Sequence, residues 1–428
     1  MSTSHSSHLL RFLVLASLVL SSLAGCAPGP AGVTVAQSAI PRETSPSIPE
    51  GDLPALVQVD NDFGLALYQV LRQEEGNLFY SPFSISLALA MAYAGARGQT
   101  EQEMAQALRF TLPQDRLHPA FNALLLDLDR RAEEADDEAF QMSIANSIWG
   151  QRDYAFLQEY LDVLARNYGA GMRLADFMNA PEEARVAIND WVSEETEERI
   201  QDLIPECVID ALTRLVLANA IYFKASWSEQ FEEAKTQTQD FHLLDGSVVS
   251  VPMMHQTATF RYGESEGVQA VELPYVGDQV AMLILMPQSG GFESFESSLT
   301  PEVLQSLIAS MEPRQLALGM PKYEIRSSFG LVPALAQLGM STAFGSEADF
   351  SGIDGTRDLY ISDVVHQAFV SVDEAGTEAA AATAVIIGVT AMPMAPFELT
   401  LDRPFVFFLR DVQTGAILFA GRLVNPAE

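Results

Sequence analysis

Cysteines and basic residues are both scarce in this chain of 428 residues. Its two cysteines cannot form a framework of several disulfides. It has 24 lysines and arginines against 57 aspartates and glutamates, a formal net charge of −33. Nucleic-acid binding and electrostatic docking on anionic lipid both need a basic surface, so the charge balance argues against both kinds of partner. With 48% hydrophobic and 19% charged residues, the composition is that of a globular protein and excludes wholesale disorder.

The sequence also lacks the common motifs of metal and nucleotide chemistry. It contains no HExxH, no pair of CxxC motifs and no GxxxxGK[ST]. Four histidines follow the N-terminal leader, and none has metal-ligand spacing with another: His118, His242, His255 and His366. We therefore expect neither a metal nor a cofactor. Cys207 follows Pro205-Glu206 with no basic neighbour, which predicts an unreactive free thiol rather than a nucleophile.

One catalytic motif is matched by the sequence pattern but not by the secondary structure predicted around it. Residues 263–267, GESEG, fit the G-x-S-x-G elbow that presents a nucleophilic serine, here Ser265. That elbow needs a strand before it and a helix after it, but the following VQAVELPY has the pattern of a strand. The flanking glutamates would also oppose a developing oxyanion. The segment is predicted to be an exposed hairpin turn, and a hydrolase using Ser265 stays as a minor alternative.

The N-terminus has the pattern of an export signal. Residues 9–24 are apolar apart from Arg11 and three serines, which suits a secretory h-region better than a membrane span. The stretch ends in LAGC, which resembles the lipobox of bacterial lipoproteins, whose cysteine, here Cys26, carries the lipid. Residues 1–25 are thus predicted to be a signal peptide. Residues 26–52, rich in Pro, Gly and Ser, are predicted to be a flexible tether.

The remaining chain, 53–428, is predicted to be one α+β domain. Helical patterns dominate its first half, over 55–71, after Ser81-Pro82, after a capping box at Thr100 and Glu103, and over 115–138 and 181–201. Strand-length apolar runs follow residue 211. The last two, PFVFFLRD and GAILFAGRLV, indicate a hairpin with Gly415 at its turn. Helices first and strands later favour α+β over a doubly wound parallel sheet.

Residues 374–403 carry conflicting signals. Four consecutive alanines, 379–382, favour helix, whereas the β-branched residues that follow favour strand. Alternate residues from Thr377 to Ile387 form one small-to-apolar face that could enter a sheet. The segment then continues through Gly388 into a proline-broken tail, and a loop this long in a compact domain is functional or disordered.

This stretch resembles the hinge of inhibitory serpins. The hinge residues that match are Glu374, Gly376, Thr377, Glu378, Ala379, Ala380, Ala381, Ala382 and Thr383. The resemblance extends over 53–428 through ordered blocks. These are NLFYSPFSI at 77–85, GARGQT at 95–100, NAIYFK at 219–224 with Trp227, PK at 321–322, RPF at 403–405 and the run from Gly421 to Pro426.

The serpin resemblance implies a fold and a mechanism. The implied fold has helices and three β-sheets, with a five-stranded central sheet and an exposed reactive loop. The implied activity is irreversible inhibition of a serine endopeptidase or of a cysteine endopeptidase. The protein would act as a suicide substrate of that protease and would not itself be an enzyme. The cleaved loop inserts into the central sheet as a new strand. A non-inhibitory serpin, acting as a carrier or chaperone, is the main alternative. Such serpins usually carry bulky, charged or proline residues in the hinge, and apart from Glu378 none of these occurs in 376–383.

The resemblance also assigns site residues. A polar "shutter" beneath the sheet is matched by Ser81, Ser84, Asn219 and His366. A "breach" where the loop first enters is matched by Trp227, Lys322 and Glu374. Counting along the loop from Gly376 places the scissile bond at Thr390-Ala391.

The partners follow from these assignments. Thr390 is small and uncharged, so the expected target is an elastase-like or subtilisin-like serine protease. A monomer is expected, exported and lipid-anchored to the cell envelope outside the cytoplasm. A glycosaminoglycan cofactor is not expected, because helix 115–131 carries as many aspartates as arginines and an acidic run follows it.

Overall fold

The computed structural model describes residues 33–134, 140–377 and 395–428. Ten α-helices lie in these ranges, most of them in the first half of the chain, as the sequence predicted. They are α1 (Asp52–Leu71), α2 (Pro82–Tyr93), α3 (Gly98–Ala107), α4 (Gln114–Glu134), α5 (Gln158–Tyr168), α6 (Pro181–Glu195), α7 (Phe292–Ser298), α8 (Pro301–Ala309), α9 (Val332–Gln337) and α10 (Ser351–Asp354).

The central sheet contains seven strands in the order β1-β4-β3-β5-β13-β12-β11. Their bounds are β1 (Thr34–Ala36), β3 (Phe140–Gln151), β4 (Met172–Ala175), β5 (Leu215–Ser226), β11 (Tyr323–Gly330), β12 (Asp363–Val372) and β13 (Gly376–Thr377). The expected five-stranded sheet is its body, β4-β3-β5-β12-β11. It is extended at one edge by β1 and is entered near the middle by the two residues of β13.

The other nine described strands form one continuous sheet, although three sheets were expected in all. They are β2 (Leu78–Tyr80), β6 (Gln237–His242), β7 (Val248–Ser265), β8 (Val268–Pro274), β9 (Val280–Pro287), β10 (Glu312–Pro321), β14 (Phe397–Thr400), β15 (Phe405–Asp411) and β16 (Ile417–Leu423). Strand β7 is 18 residues long and pairs with β6, β10 and β8 along its length. This long strand therefore joins two parts that would otherwise be separate sheets.

Strand β5 is buried on both faces of the central sheet, which explains its nearly continuous apolar sequence. Leu215, Leu217 and Ile221 belong to the main hydrophobic core, which also contains α2. Val216 and Ala218 face the other way, into a second cluster with Ile188 and Trp191 of α6 and others. The sheet is thus covered by α2 beneath and by α6 above.

Helix α2 lies wholly inside the core, as its sequence predicted. All twelve of its residues are buried. Ser81 caps its N-terminus by accepting a hydrogen bond from the Ser84 backbone N–H, and Pro82 occupies the first turn. The apolar body fixes this helix against the sheet, and its capping residues lie directly beneath the strands.

Two predictions about the first hundred residues are wrong. Residues 33–51 do not behave as a tether, because β1 pairs antiparallel with β4 and Arg42 donates a 3.0 Å hydrogen bond to Asn122. Thr100 does not begin a helix, because α3 starts at Gly98 and the Thr100 hydroxyl accepts a hydrogen bond from the Asp349 backbone. Within the described ranges, no helix is long and apolar enough to cross a membrane.

Candidate functional site at the upper gap of the central sheet

Strands β5 and β12 run side by side and then part. Their parallel ladder joins Asp363–Phe369 to Val216–Tyr222, and its last pair is Phe369 with Tyr222. Beyond that pair, residues 223–226 of β5 and 370–372 of β12 border a space that we call the upper gap. Strand β13 enters it from the top, with Thr377 paired to Val372 on one side and to Ala225 on the other.

Gly376 and Thr377 fit the upper gap closely. A Cβ on Gly376 would lie 2.1 Å from the Ala225 carbonyl oxygen, so no larger residue fits this backbone position. The Thr377 side chain is fully buried, and its hydroxyl lies 2.7 Å from the Tyr275 hydroxyl. The face that the sequence pattern assigned to the interior is therefore inward at Thr377. Hinge residues Gly376 and Thr377 already occupy the position of an inserted antiparallel strand.

Trp227 closes the top of the upper gap. Its ring stacks on Tyr275 with centroids 4.5 Å apart, and its indole N–H donates to the Asp373 carbonyl at 3.0 Å. Its backbone N–H donates to the Ala375 carbonyl at 2.9 Å. Trp227, the predicted breach tryptophan, thus holds the turn 373–375, which leads into β13.

Glu374 anchors the same turn through its side chain. It accepts hydrogen bonds from Lys322 Nζ and from the Thr236 hydroxyl, each at 2.6 Å. Burial opposes ionisation, but these two donors hold the pKa of the Glu374 carboxyl below its usual value. The breach residues predicted from sequence therefore meet. Lys322 remains 37% exposed, so its ion pair with Glu374 contributes at most about 1 kcal/mol.

The shutter residues form one buried network at the middle of the β5–β12 ladder, where His366 pairs with Asn219. The Ser81 backbone N–H donates to His366 Nε2 at 3.1 Å, so that nitrogen is unprotonated and Nδ1–H donates to Asn219 Oδ1. The Asn219 amide donates to the Ser84 hydroxyl at 2.6 Å. Burial lowers the pKa of His366 to about 3, which keeps the imidazole neutral.

One member of this network, Asn146 on β3, is not among the residues predicted from the sequence. Its side-chain oxygen accepts from the Ser84 hydroxyl at 3.0 Å and also from the Asn219 amide. Its amide donates to the Ser84 carbonyl at 3.1 Å. The available signal was a single asparagine in the apolar run SIANSIWG. The network thus ties β3, β5 and β12 to the start of α2.

Several predicted residues lie outside the described ranges. These are Cys26, hinge residues Glu378, Ala379, Ala380, Ala381, Ala382 and Thr383, and the bond Thr390-Ala391. Among the described residues, Ser265 ends β7 and pairs with Val268 across a two-residue turn, so the predicted hairpin is confirmed and no elbow exists. Cys207 is a free, exposed cysteine, also as predicted.

The described ranges contain no group of three or more histidine, cysteine or acidic side chains able to hold a metal ion. Two cavities of about 580 Å³ lie beside Arg422 and beside Ser265, away from the upper gap. Among the described residues, Gly376 and Thr377 of the chain itself occupy the top of the upper gap.

The family model described as "Serpin (serine protease inhibitor)" matches residues 58–426. The chain belongs to the serpin family. An uncharacterised serpin-like protein from Thermococcus kodakarensis is 38% identical, over 98% of this chain and 99% of the relative. The leukocyte elastase inhibitor of Sus scrofa is 41% identical, over 85% of this chain and 97% of the relative. The native-state crystal structure of the thermophilic serpin Tengpin superposes with a TM-score of 0.80 at 27% identity, covering 91% and 99% of the two chains.

Membership of the serpin family relates the central sheet and the hinge at its upper end to protease inhibition. Serpins are protease inhibitors rather than enzymes. The fold of this serpin keeps the five-stranded body of the central sheet, with the hinge at its upper end.

Proposed function

We propose that this serpin irreversibly inhibits a serine endopeptidase as a suicide substrate. The observation that carries the proposal is the position of Gly376 and Thr377, which pair with both β5 and β12 as the first residues of a new antiparallel strand. The residues that follow, Glu378 to Thr383, are mostly small. Continued entry would lengthen β13 between two strands whose buried backbone groups can pair with it.

The proposed reaction begins as ordinary proteolysis. The protease serine hydroxyl attacks the Thr390 carbonyl, the Thr390-Ala391 bond breaks, and the amine of Ala391 leaves with the proton. The protease is then joined to Thr390 as an ester. Entry of 378–390 into the sheet carries the protease past the shutter to the far end of the sheet, where the distorted enzyme loses the oxyanion hole needed for attack by water.

Thr390 directs the proposal toward proteases that prefer small uncharged side chains. A trypsin-like pocket holds a buried carboxylate with which threonine cannot pair. One relative at 41% identity is named as an inhibitor of leukocyte elastase, which supports an elastase-like or subtilisin-like target. Export and anchoring through lipid on Cys26 complete the proposal and rest on the LAGC box alone.

Incubation with a panel of elastase-like, subtilisin-like and trypsin-like proteases tests this function. A denaturing gel is expected to show a covalent serpin–protease band with the first two classes. The released C-terminal fragment is expected to begin at Ala391. Cleavage at this bond without any covalent band would contradict the suicide mechanism and favour a carrier or chaperone. Rapid complex formation with trypsin alone would overturn the proposed specificity.

A further inference from the structure

Two arginines meet over the point where β5 and β12 part. Tyr222 and Phe369, the last pair of the ladder, are both buried, and they lie on the face that α6 covers. The Arg199 guanidinium lies 5.7 Å from the Tyr222 ring centroid, and the Arg326 guanidinium lies 4.2 Å from the Phe369 ring centroid. Each cation therefore rests on one strand of the pair.

A hydrogen bond joins the two sides. Arg326 on β11 donates from Nη1 to the Arg199 backbone carbonyl at 3.3 Å. Arg199 belongs to the segment between α6 and β5, which is fixed on this face because Ile200, Leu203 and Ile204 are buried beside α6. We call Arg199 and Arg326 together the clasp. It connects the segment lying over β5 with the pair β12–β11.

Entry of a strand must break this connection. Neighbouring strands lie about 4.8 Å apart, so a strand placed between β5 and β12 moves Phe369 and Arg326 away from Tyr222 by about that distance. A hydrogen bond that starts at 3.3 Å does not survive such a displacement. The breach residues lie above the last closed pair, and the shutter pair His366–Asn219 lies three pairs below it. The clasp lies over the last closed pair itself, where opening must continue.

We propose that the clasp slows strand entry into the upper gap, and that Arg326 is the residue that sets this delay. The clasp would hold the hinge at Thr377 until cleavage frees the loop. The proposal rests on the proposed function, because a delay matters only if the loop inserts. It adds a rate-setting residue that does not touch the loop, the breach or the shutter.

Uptake of a synthetic peptide with the sequence of residues 377–390 tests the clasp without a protease. The peptide competes for the space between β5 and β12, and its binding rate is followed on native gels. Arg326→Ala is expected to take it up about three- to tenfold faster than wild type, where tenfold corresponds to 1.36 kcal/mol of barrier. Arg326 is 54% exposed, so this variant should fold.

Two control variants make the test specific. Glu324→Gln removes the negative charge that lies 3.4 Å from Arg326 on the same strand, and it leaves the clasp intact. Arg173→Ala removes a guanidinium that lies over Trp149 and Trp191 on the same face but does not cross the β5–β12 line. Both are expected to take up the peptide at the wild-type rate.

The outcomes separate the clasp from the function on which it rests. An unchanged rate in Arg326→Ala, or an equal acceleration in either control, would overturn the clasp while peptide uptake by wild type still supports insertion. If wild type and Arg326→Ala both fail to take up peptide and gain no heat stability when the loop is cleaved, the proposed function fails and the clasp fails with it.

Discussion

Gly376 packs so closely against Ala225 that a side chain on it would overlap the Ala225 carbonyl oxygen. This contact makes the entrance to the upper gap selective for glycine at its first position. It lies between two strands, β13 and β5, whose pairing begins the insertion that we propose. The contact therefore links a local steric limit to the inhibitory mechanism.

Replacing this glycine should convert the inhibitor toward a substrate. In Gly376→Val the hinge must leave the gap or push β5 aside, and either change slows insertion after cleavage. Each 1.36 kcal/mol added to that barrier slows insertion about tenfold, which allows the ester to hydrolyse first. The measurement is the number of serpin molecules consumed per protease inactivated, and we expect it to rise severalfold. A value equal to wild type would show that Gly376 does not need to enter.

Thr377→Arg should have a stronger effect of the same kind. The Thr377 side chain is fully buried beside Tyr275, where an arginine would place an unpaired charge that costs several kcal/mol. Cleavage at Thr390-Ala391 should continue, because that bond is thirteen residues further along the chain. Thr377→Ser keeps the hydroxyl and is the matched control, expected to inhibit like wild type. Full covalent complex with Thr377→Arg would mean that the hinge does not insert here.

The free energy of unfolding should depend on pH through the ionisation of three buried side chains. Burial lowers the pKa of His366 to about 3 and that of His118 to about 4, and it raises the pKa of Asp60 to about 7. The histidines stabilise the fold above their unfolded pKa of about 6.5, and this contribution is lost as the pH falls. Asp60 acts in the opposite sense, since its contribution is complete at low pH and is lost as the pH rises toward 7.

Between pH 6 and 4.5 the unfolded chain binds more protons at the two histidines than the folded protein does, and this difference exceeds the opposite difference at Asp60 by about one proton. Wild type should therefore lose about 1 kcal/mol of stability per pH unit from these groups, and Asp60→Asn about twice as much, because the opposing gain is removed. Urea midpoints at the two pH values, with the slope of each transition, supply the comparison. Equal pH dependence in both proteins would show that Asp60 ionises normally in the folded protein.

From local sequence patterns, a contact in this site could be predicted only where its two residues are close together in the chain. The start of α2 is predictable because its signal is local: Ser81-Pro82 places a proline in the first helical turn, and α2 begins at Pro82. The capping box at Thr100 failed because its hydroxyl binds the backbone of Asp349, 249 residues away. Arg42 was assigned to a tether for the same reason, since its partner Asn122 is 80 residues distant. Asn146 was missed because its role depends on β5 lying beside β3, which no local pattern shows.

Anchoring through Cys26 has a separate test. In Cys26→Ser the lipid cannot be attached, so the protein should leave the membrane fraction or remain unprocessed. Membrane fractionation of the two proteins in a bacterial host that processes lipoproteins, with detection of bound lipid, gives the result. If Cys26→Ser sediments with membranes as wild type does, the anchor is not the Cys26 lipid.

Strand entry itself is the central claim, and amide hydrogen exchange tests it most directly. Residues 223–226 of β5 and 370–372 of β12 border the upper gap, and exchange in peptides that contain them is compared before and after cleavage at Thr390-Ala391. The account predicts much slower exchange of both segments in the cleaved protein, because a new strand pairs with each. Unchanged exchange in both segments after complete cleavage would contradict it.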